Sequence, residues 1–515
     1  MAHRDKSTAL RVYVGVLLLL LLVNSAGFWY AAIQKVSLPY ELDYGEGIVL
    51  YQASKVTNLP SAYKPIDEYP FVVFHYPPLY HITVRAFALL TRSLITAGRW
   101  VSVASGLLVE LIIGFLVFSS LPRRLELTLR LAGALFAALL PNLLYVMRWT
   151  WLARVDMLAI LLSFVGITVF VLSGRQRVWQ YAAFALFIAA LFTKQTMVAA
   201  PLACLTAALV VDARHAARLA LFAGILGTTV LAALSWVTQG EVIRHLFLYN
   251  QNPFRLMRML NGLAENFKTI VPLVALAWGY AVSVGTETVG LIRHGRWDRL
   301  RVWLEYSRHR RLAFVCSALL IFAVMVSLTY GKNGSNYNYF LEWNLACCPL
   351  AALVLFRGLI SWHSNRSWSP ALVIAYLLPI LILLEGLPDA TFRLLPRLDP
   401  VTMKQETARG EDFATALRLI QQAQGPVLSE DMLLLIEAGK EVPAEPAILQ
   451  DLASRGLWDE RPFIRMIEEH RFPIIVVKDL SNRLRFTQTV AAAISRAYSR
   501  TREIGAFQIY EPRWN

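Results

Sequence analysis

Charge and cysteine are both scarce in this chain. Only 17% of its 515 residues are charged, whereas a soluble domain carries about 25%, and the shortfall argues against a single water-soluble body. The four cysteines, Cys204, Cys316, Cys347 and Cys348, fall in apolar segments without metal-ligand spacing. They read as packing residues, so neither a disulfide framework nor a cysteine metal site is expected. A glycine-rich phosphate loop and an internal repeat are also lacking, and the missing repeat weighs against a transporter built from two related halves. What is abundant is hydrocarbon. Hydrophobic residues make up 57% of the chain, mean hydropathy is +0.49, and the apolar residues gather into long runs of the kind that cross membranes.

Windows of roughly 17–25 residues give about eleven spans, near 12–32, 98–119, 130–147, 155–173, 178–193, 195–211, 217–238, 269–292, 311–330, 339–356 and 369–387. The first has the basic start of a signal peptide (Arg4, Lys6, Arg11) but no clear cleavage site, and reads as a retained helix, with a cleaved signal as the alternative. The segment 78–96 is apolar but short and carries Arg85 and Arg92, so it reads as a juxtamembrane helix. Net charge is +15. The arginines collect in alternate loops: Arg123, Arg124 and Arg130; Arg175 and Arg177; Arg214 and Arg218; the stretch from Arg293 to Arg311; Arg357 and Arg366. That alternation is the positive-inside pattern, not a nucleic-acid footprint, and no nucleic-acid partner is expected. It puts the N-terminus in the cytoplasm and the C-terminus outside.

Composition changes near Pro388, where mixed charges become frequent and spans end. The expected architecture is mainly α: a polytopic helical membrane domain over 1–387, with a long first outside loop over 33–97, followed by a small α/β domain over 388–515. In the latter, strands are expected at 427–428, 472–477 and 506–510, and helices at 411–422, 461–469 and 487–499.

Polar residues that could carry chemistry cluster on the outside face. Glu41-Leu42-Asp43-Tyr44-Gly45-Glu46-Gly47 sets three carboxylates just after the first span. Acids against an apolar body attract a functional reading, although Asp43 followed by Glu46 also fits a helix cap. In His75-Tyr76-Pro77-Pro78 the prolines stiffen the backbone and would start a helix, either holding His75 for a hydrogen bond to a phosphate or forming a structural turn. Arg148 to Asp156 places Arg148, Arg154 and Asp156 at a junction of spans, where ionisable groups pair or line a polar cavity. Lys194 lies between two spans with almost no loop, and could equally be a snorkelling lysine. The run Asn336-Tyr337-Asn338-Tyr339 suits a hydroxyl-rich ligand or a polar turn.

Together these stretches resemble the GT-C glycosyltransferases, especially bacterial relatives of the protein O-mannosyltransferases and the lipid A aminoarabinose transferases. The resemblance rests on Asp43-Tyr44-Gly45-Glu46-Gly47, Tyr76-Pro77-Pro78-Leu79, Arg154-Val155-Asp156-Met157, Thr193-Lys194-Gln195-Thr196, Gly334 to Tyr339 and the trailing α/β domain. One departure is His75, where the aminoarabinose transferases typically have a lysine. The resemblance implies an enzyme of the bacterial inner membrane that moves a sugar from a polyprenyl-phosphate carrier to an envelope glycan, lipid or protein on the periplasmic side. The implied roles are catalytic for Asp43, as base, and Glu46. They are phosphate binding for His75, Arg148, Arg154 and Lys194, and substrate binding for Tyr44, Tyr76, Asp156, Asn336, Tyr337 and Asn338. No cofactor is required, although Asp43 with Glu46 could hold a divalent cation. The alternatives are a lipid-linked sugar flippase and an O-antigen ligase or polymerase.

Overall fold

The computed structural model describes residues 2–123, 125–364, 377, 380, 381, 383, 384 and 400–513. Most of the span expected at 369–387, the boundary at 387–388, Arg124, Arg366 and the side chain of Arg357 lie outside the described residues. Six described helices are long and apolar enough to cross a bilayer, and up to eight if each of two bent pairs counts as one span. The pairs are Leu127–Leu143 with Tyr145–Trp151, bent by 85°, and Leu256–Lys268 with Val271–Arg293, bent by 95°. Each of the first ten expected spans thus has a helix, but not each is a full crossing. Arg177–Leu191 and Ala199–Val211 have 15 and 13 residues, about 20 Å at 1.5 Å per residue, against a hydrocarbon core of about 30 Å. The polar turn at Thr193 to Thr196 removes residues from both. The apolar segment after Pro78 forms a separate helix, Leu79–Thr91, as expected.

Helix starts follow local chemistry. Ser93 accepts from Thr96 N to begin Leu94–Ser120, Asp212 accepts from Arg214 N and His215 N to begin Ala213–Val237, and Ser307 accepts from Arg310 N; each satisfies a backbone donor the helix cannot. The spans pack around Phe164, Phe187, Leu319, Phe340 and Cys347. Leu19, Leu111, Leu131 and Leu221 stay exposed, as suits a lipid-facing wall.

The C-terminal part is an α/β cap. Strands β1 (Leu428–Ser429), β2 (Ile475–Val477), β3 (Tyr498–Ile504) and β4 (Phe507–Pro512) form one sheet in the order β1-β2-β4-β3. The first pair is parallel, and β4 runs antiparallel to both its neighbours. The helix expected to continue to 499 ends at Ala497, because Tyr498 begins a hairpin strand that turns at Gly505, whose φ is +54°. A second hydrophobic core joins the cap to the loop that follows the first helix. Ile48, Leu50 and Val49 of the loop helix Gly45–Lys55 pack with Met432, Leu433 and Val476 of the cap. Each such large side chain buried contributes about 1.5–3 kcal/mol, so the cap is packed onto the loop and not tethered beside it.

Candidate active site

The loop that leaves the first helix, Ala2–Val36, carries the three carboxylates within six residues, and each meets a different partner. Glu46 is completely buried. Its Oε1 accepts from Arg99 Nε at 2.9 Å and Ala153 N at 2.8 Å; its Oε2 accepts from Arg99 Nη2 at 2.8 Å and Leu42 N at 2.7 Å. The same guanidinium donates to the carbonyls of Lys35, Leu38 and Tyr40. All four lone-pair positions of Glu46 are therefore used. A carboxylate in that state has no oxygen to offer a substrate proton or an ion; it ties the loop to the span Leu94–Ser120. The possible divalent site on Asp43 and Glu46 does not fit these donors, since the other carboxylate faces a guanidinium. Among the described residues no group of three or more His, Cys, Asp or Glu side chains could hold a metal ion.

Asp43 is half-buried, its side chain 25% exposed. Its Oδ1 accepts from Gly45 N and from Arg154 Nη1, both at 3.1 Å, which leaves Oδ2 as the oxygen able to take a proton. Arg154 Nη2 reaches the Tyr76 hydroxyl at 3.4 Å. Burial opposes charge on this guanidinium, but Tyr76, Asp43, Asp156 and Glu46 together hold it above its ordinary value. Gly45 is required here, because a Cβ would coincide with the Arg154 guanidinium.

The His75 ring stacks obliquely on Tyr76 at 4.4 Å. Its carbonyl accepts from Gln195 Nε2 at 3.0 Å and Asn250 Nδ2 at 2.8 Å, while Leu79 N donates to Phe192 O at 3.1 Å. The proline turn is thereby tied to the Thr193–Thr196 turn. Burial first, and then the Arg154 charge, push the His75 pKa down to about 3. The ring is neutral at physiological pH and can donate or accept a hydrogen bond but supplies no charge.

Two residues beyond Arg154, Asp156 starts the span Asp156–Ser173. Its Oδ1 accepts from Lys194 Nζ at 2.6 Å and Asn338 Nδ2 at 2.9 Å, and its Oδ2 from Trp149 Nε1 at 2.9 Å. Lys194 also lies 5.0 Å from the Tyr339 ring. The structure thus brings together Asp43, His75, Tyr76, Arg154, Asp156, Lys194 and Asn338, from five separate stretches of sequence. Arg148 sits apart, over Tyr145 at 4.3 Å, and Tyr145 packs on Tyr337, whose hydroxyl donates to Glu265 at 2.9 Å. Asn336 accepts from Tyr337 N and serves its own turn.

Tyr44 does not point toward the Asp43 cluster. Its hydroxyl donates to Glu445 of the cap at 2.9 Å and accepts from Ala447 N at 3.2 Å, with the Arg485 guanidinium 3.6 Å above the ring. Its chemistry is spent on docking the cap. Glu41, buried next to it, accepts from Leu433 N at 3.3 Å, with Lys478 bridging at 3.9 Å to Glu41 and at 2.9 Å to Asp431. Burial, then the Asp431 charge, raise the Glu41 carboxyl well above its ordinary range, against the pull of Lys478. Arg99 and Asn250 were not singled out from sequence, and Trp149 and Gln195 fell within quoted motifs without a role of their own. Arg99 carried a readable signal, a charge at the edge of an apolar run that must find a partner; an amide that bonds a distant carbonyl carries none.

Fold and site together define a multi-pass membrane protein with a loop-borne carboxylate and cation cluster and a C-terminal α/β cap packed on the same loop. The architecture is that of ArnT from Cupriavidus metallidurans. Its structure bound to undecaprenyl phosphate aligns with a TM-score of 0.57 at 13% identity, covering 96% of this chain and 98% of that one. Its apo structure aligns at 0.56 and 12%, covering 98% of each. At such identities what is shared is the fold, and it is the fold that the resemblance of the motifs implies. No family model matches the chain, and no curated protein does.

Proposed function

We propose that this chain is a membrane glycosyltransferase that takes a sugar from a polyprenyl-phosphate donor and passes it to a cell-envelope acceptor, with Asp43 as general base. The observation that carries this is the Asp43 carboxylate, half-buried and oriented by Arg154 and Gly45 N, in one cluster with a neutral histidine and a second cation, Lys194, paired with Asp156. ArnT, whose fold the chain shares, is seen bound to undecaprenyl phosphate, and that class of carrier is the donor proposed here. Asp43 Oδ2 accepts the proton of an acceptor hydroxyl as its oxygen attacks the anomeric carbon. The bond from that carbon to the carrier phosphate breaks, and its electron pair leaves on the phosphate. Attack opposite the phosphate inverts the sugar. Arg154 and Lys194 stabilise the charge gathering on the leaving phosphate, His75 contributes a hydrogen bond, and Arg148 meets the donor from the Tyr145 side. Tyr76, Asp156 and Asn338 line the sugar position, with Tyr337 and Asn336 at its edge. Glu46 and Tyr44 act at one remove, as positioning residues. The protein sits in the bacterial inner membrane with its cap in the periplasm.

The test is transfer by membranes supplied with undecaprenyl-phosphate-linked sugars. Asp43→Asn keeps the shape of the side chain and removes the base, so turnover should fall about 10²–10⁴-fold with undecaprenyl phosphate still bound. Undiminished transfer would reject the base. Movement of lipid-linked sugar across the membrane without transfer by the parent protein would reject the enzyme.

A further inference from the structure

A second charged site lies at the other end of the spans. The helix Asp156–Ser173 begins in the Asp43 cluster and ends, 18 residues later, about 27 Å away. There a small cavity of about 30 Å³, open to the surface, is lined by Gly174, Arg175, Arg177, Gln180, His215 and Arg311, with Glu305 as its one carboxylate. Arg311 forms the floor and is 4% exposed. Its guanidinium donates to the carbonyls of Leu304, Val171 and Glu305, and the Glu305 carboxylate favours its charge without a direct hydrogen bond to it. Arg175 and Arg177 stand exposed at the rim. Arg177 is paired with Asp212 at 2.9 Å, and Arg175 lies 5.3 Å from the Tyr306 ring. Gln180 fixes one wall, donating to Gly174 O at 3.1 Å and meeting His215 Nε2 at 2.8 Å.

The positive-inside pattern accounts for arginines at this end of the helices, but not for one buried at a cavity whose three lining arginines face a single lining carboxylate, Glu305. Hydrogen-bonding a desolvated guanidinium to carbonyls alone is costly, and an anion entering the cavity would offset that cost. We propose that this cavity binds the phosphate of an anionic lipid headgroup. The level of the mouth supports a lipid source: Val178 and Trp179, next to Arg177, and Tyr306, beside Arg175, are all exposed, and aromatic side chains concentrate where the bilayer meets water. Basic pockets between helices at that level are suited to lipid phosphates. The proposal does not depend on the role given to Asp43.

The test uses the full-length protein, reconstituted in nanodiscs of mixed phosphatidylglycerol and phosphatidylcholine. Lipids retained after transfer to detergent are counted by mass spectrometry. Phosphatidylglycerol should be enriched on the parent protein. Arg175→Gln with Arg177→Gln removes two exposed charges and should weaken retention about tenfold, while leaving sugar transfer unchanged. Arg311→Gln should do the same, and the rim pair decides the matter if that variant does not fold. A parallel arm offers inorganic phosphate to the delipidated protein. Stabilisation by millimolar phosphate, lost in the rim variant, would support the anion site with a free phosphate as occupant. No enrichment on the parent and no phosphate effect, or equal retention by parent and rim variant, would overturn the proposal.

Discussion

Replacing Arg99 by methionine should unfold this protein more effectively than any change to the residues proposed to do chemistry. The side chain is fully buried, and its five donated bonds join the loop carbonyls of Lys35, Leu38 and Tyr40 to both oxygens of Glu46. Methionine fills much of the volume but donates nothing. Glu46 then keeps only two backbone amides, Leu42 N and Ala153 N, and its charge is stranded in a dry site. Breaking one partner out of a buried ion pair costs about 3–5 kcal/mol, and each carbonyl left without a donor adds about 1–3 kcal/mol where water does not enter. A loss near 5 kcal/mol is a large part of the about 5–15 kcal/mol that holds a typical fold. All four cysteines are buried, so labelling by a thiol-reactive dye during heating reports unfolding directly. Arg99→Met should label at a clearly lower temperature than the parent. Adding Glu46→Leu removes the stranded charge and should recover part of the loss, the coupling expected of a direct pair. If Arg99→Met melts with the parent, or if the double variant is no better than the single, the argument for a structural clamp fails.

Three other substitutions follow from the same loop. Gly45→Ala must displace the Arg154 guanidinium and so release Asp43; transfer should fall about 10²-fold with little change in the labelling temperature. Tyr44→Phe removes the bond to Glu445 and leaves Ala447 N without its acceptor, a loss of about 1–3 kcal/mol, seen as faster hydrogen exchange in the helix Pro446–Ser454. For Glu41 the sign follows from its raised pKa. Between its ordinary and its folded pKa the folded protein binds more protons than the unfolded, so this contribution to stability is present at low pH and is lost as pH rises toward the folded value. Glu41→Gln should flatten that slope and melt no lower than the parent at pH 8; a steeper slope would contradict it.

The helical body was legible because its signal is long and redundant. A run such as that around Phe164 and Val171 reads as a span whatever its neighbours do. What sequence missed was where helices stop short of a crossing, since Arg177–Leu191 and Ala199–Val211 are truncated by a turn that satisfies distant groups: Lys194 bonds Asp156, and Gln195 bonds the His75 carbonyl. In the cap, Tyr498 and Ser499 were read as the end of a helix and 500–504 as neither helix nor strand; Tyr498–Ile504 is an edge strand with one neighbour, and such strands bury little. Of the site, the ionisable residues inside apolar sequence were visible one by one, as Arg154, Asp156 and Lys194 were. Their pairing was not, since the partners lie up to 182 positions apart.

The resemblance puts the base on Asp43, but the local chemistry of the three acids of the first loop does not separate their roles. Glu41, Asp43 and Glu46 have nearly the same local chemistry, and each is a fair candidate for a base. What distinguishes them is supplied from elsewhere in the chain: the cap claims Glu41 through Leu433 N and Lys478, Arg99 claims both oxygens of Glu46, and Arg154 claims only one oxygen of Asp43. The two outer carboxylates hold the loop at both ends, against the cap and against a span, and so fix the position of the middle one. A base must be held in place yet keep a lone pair for the proton it removes. Among these three acids Asp43 meets both conditions, because the other two are committed to the scaffold that holds it.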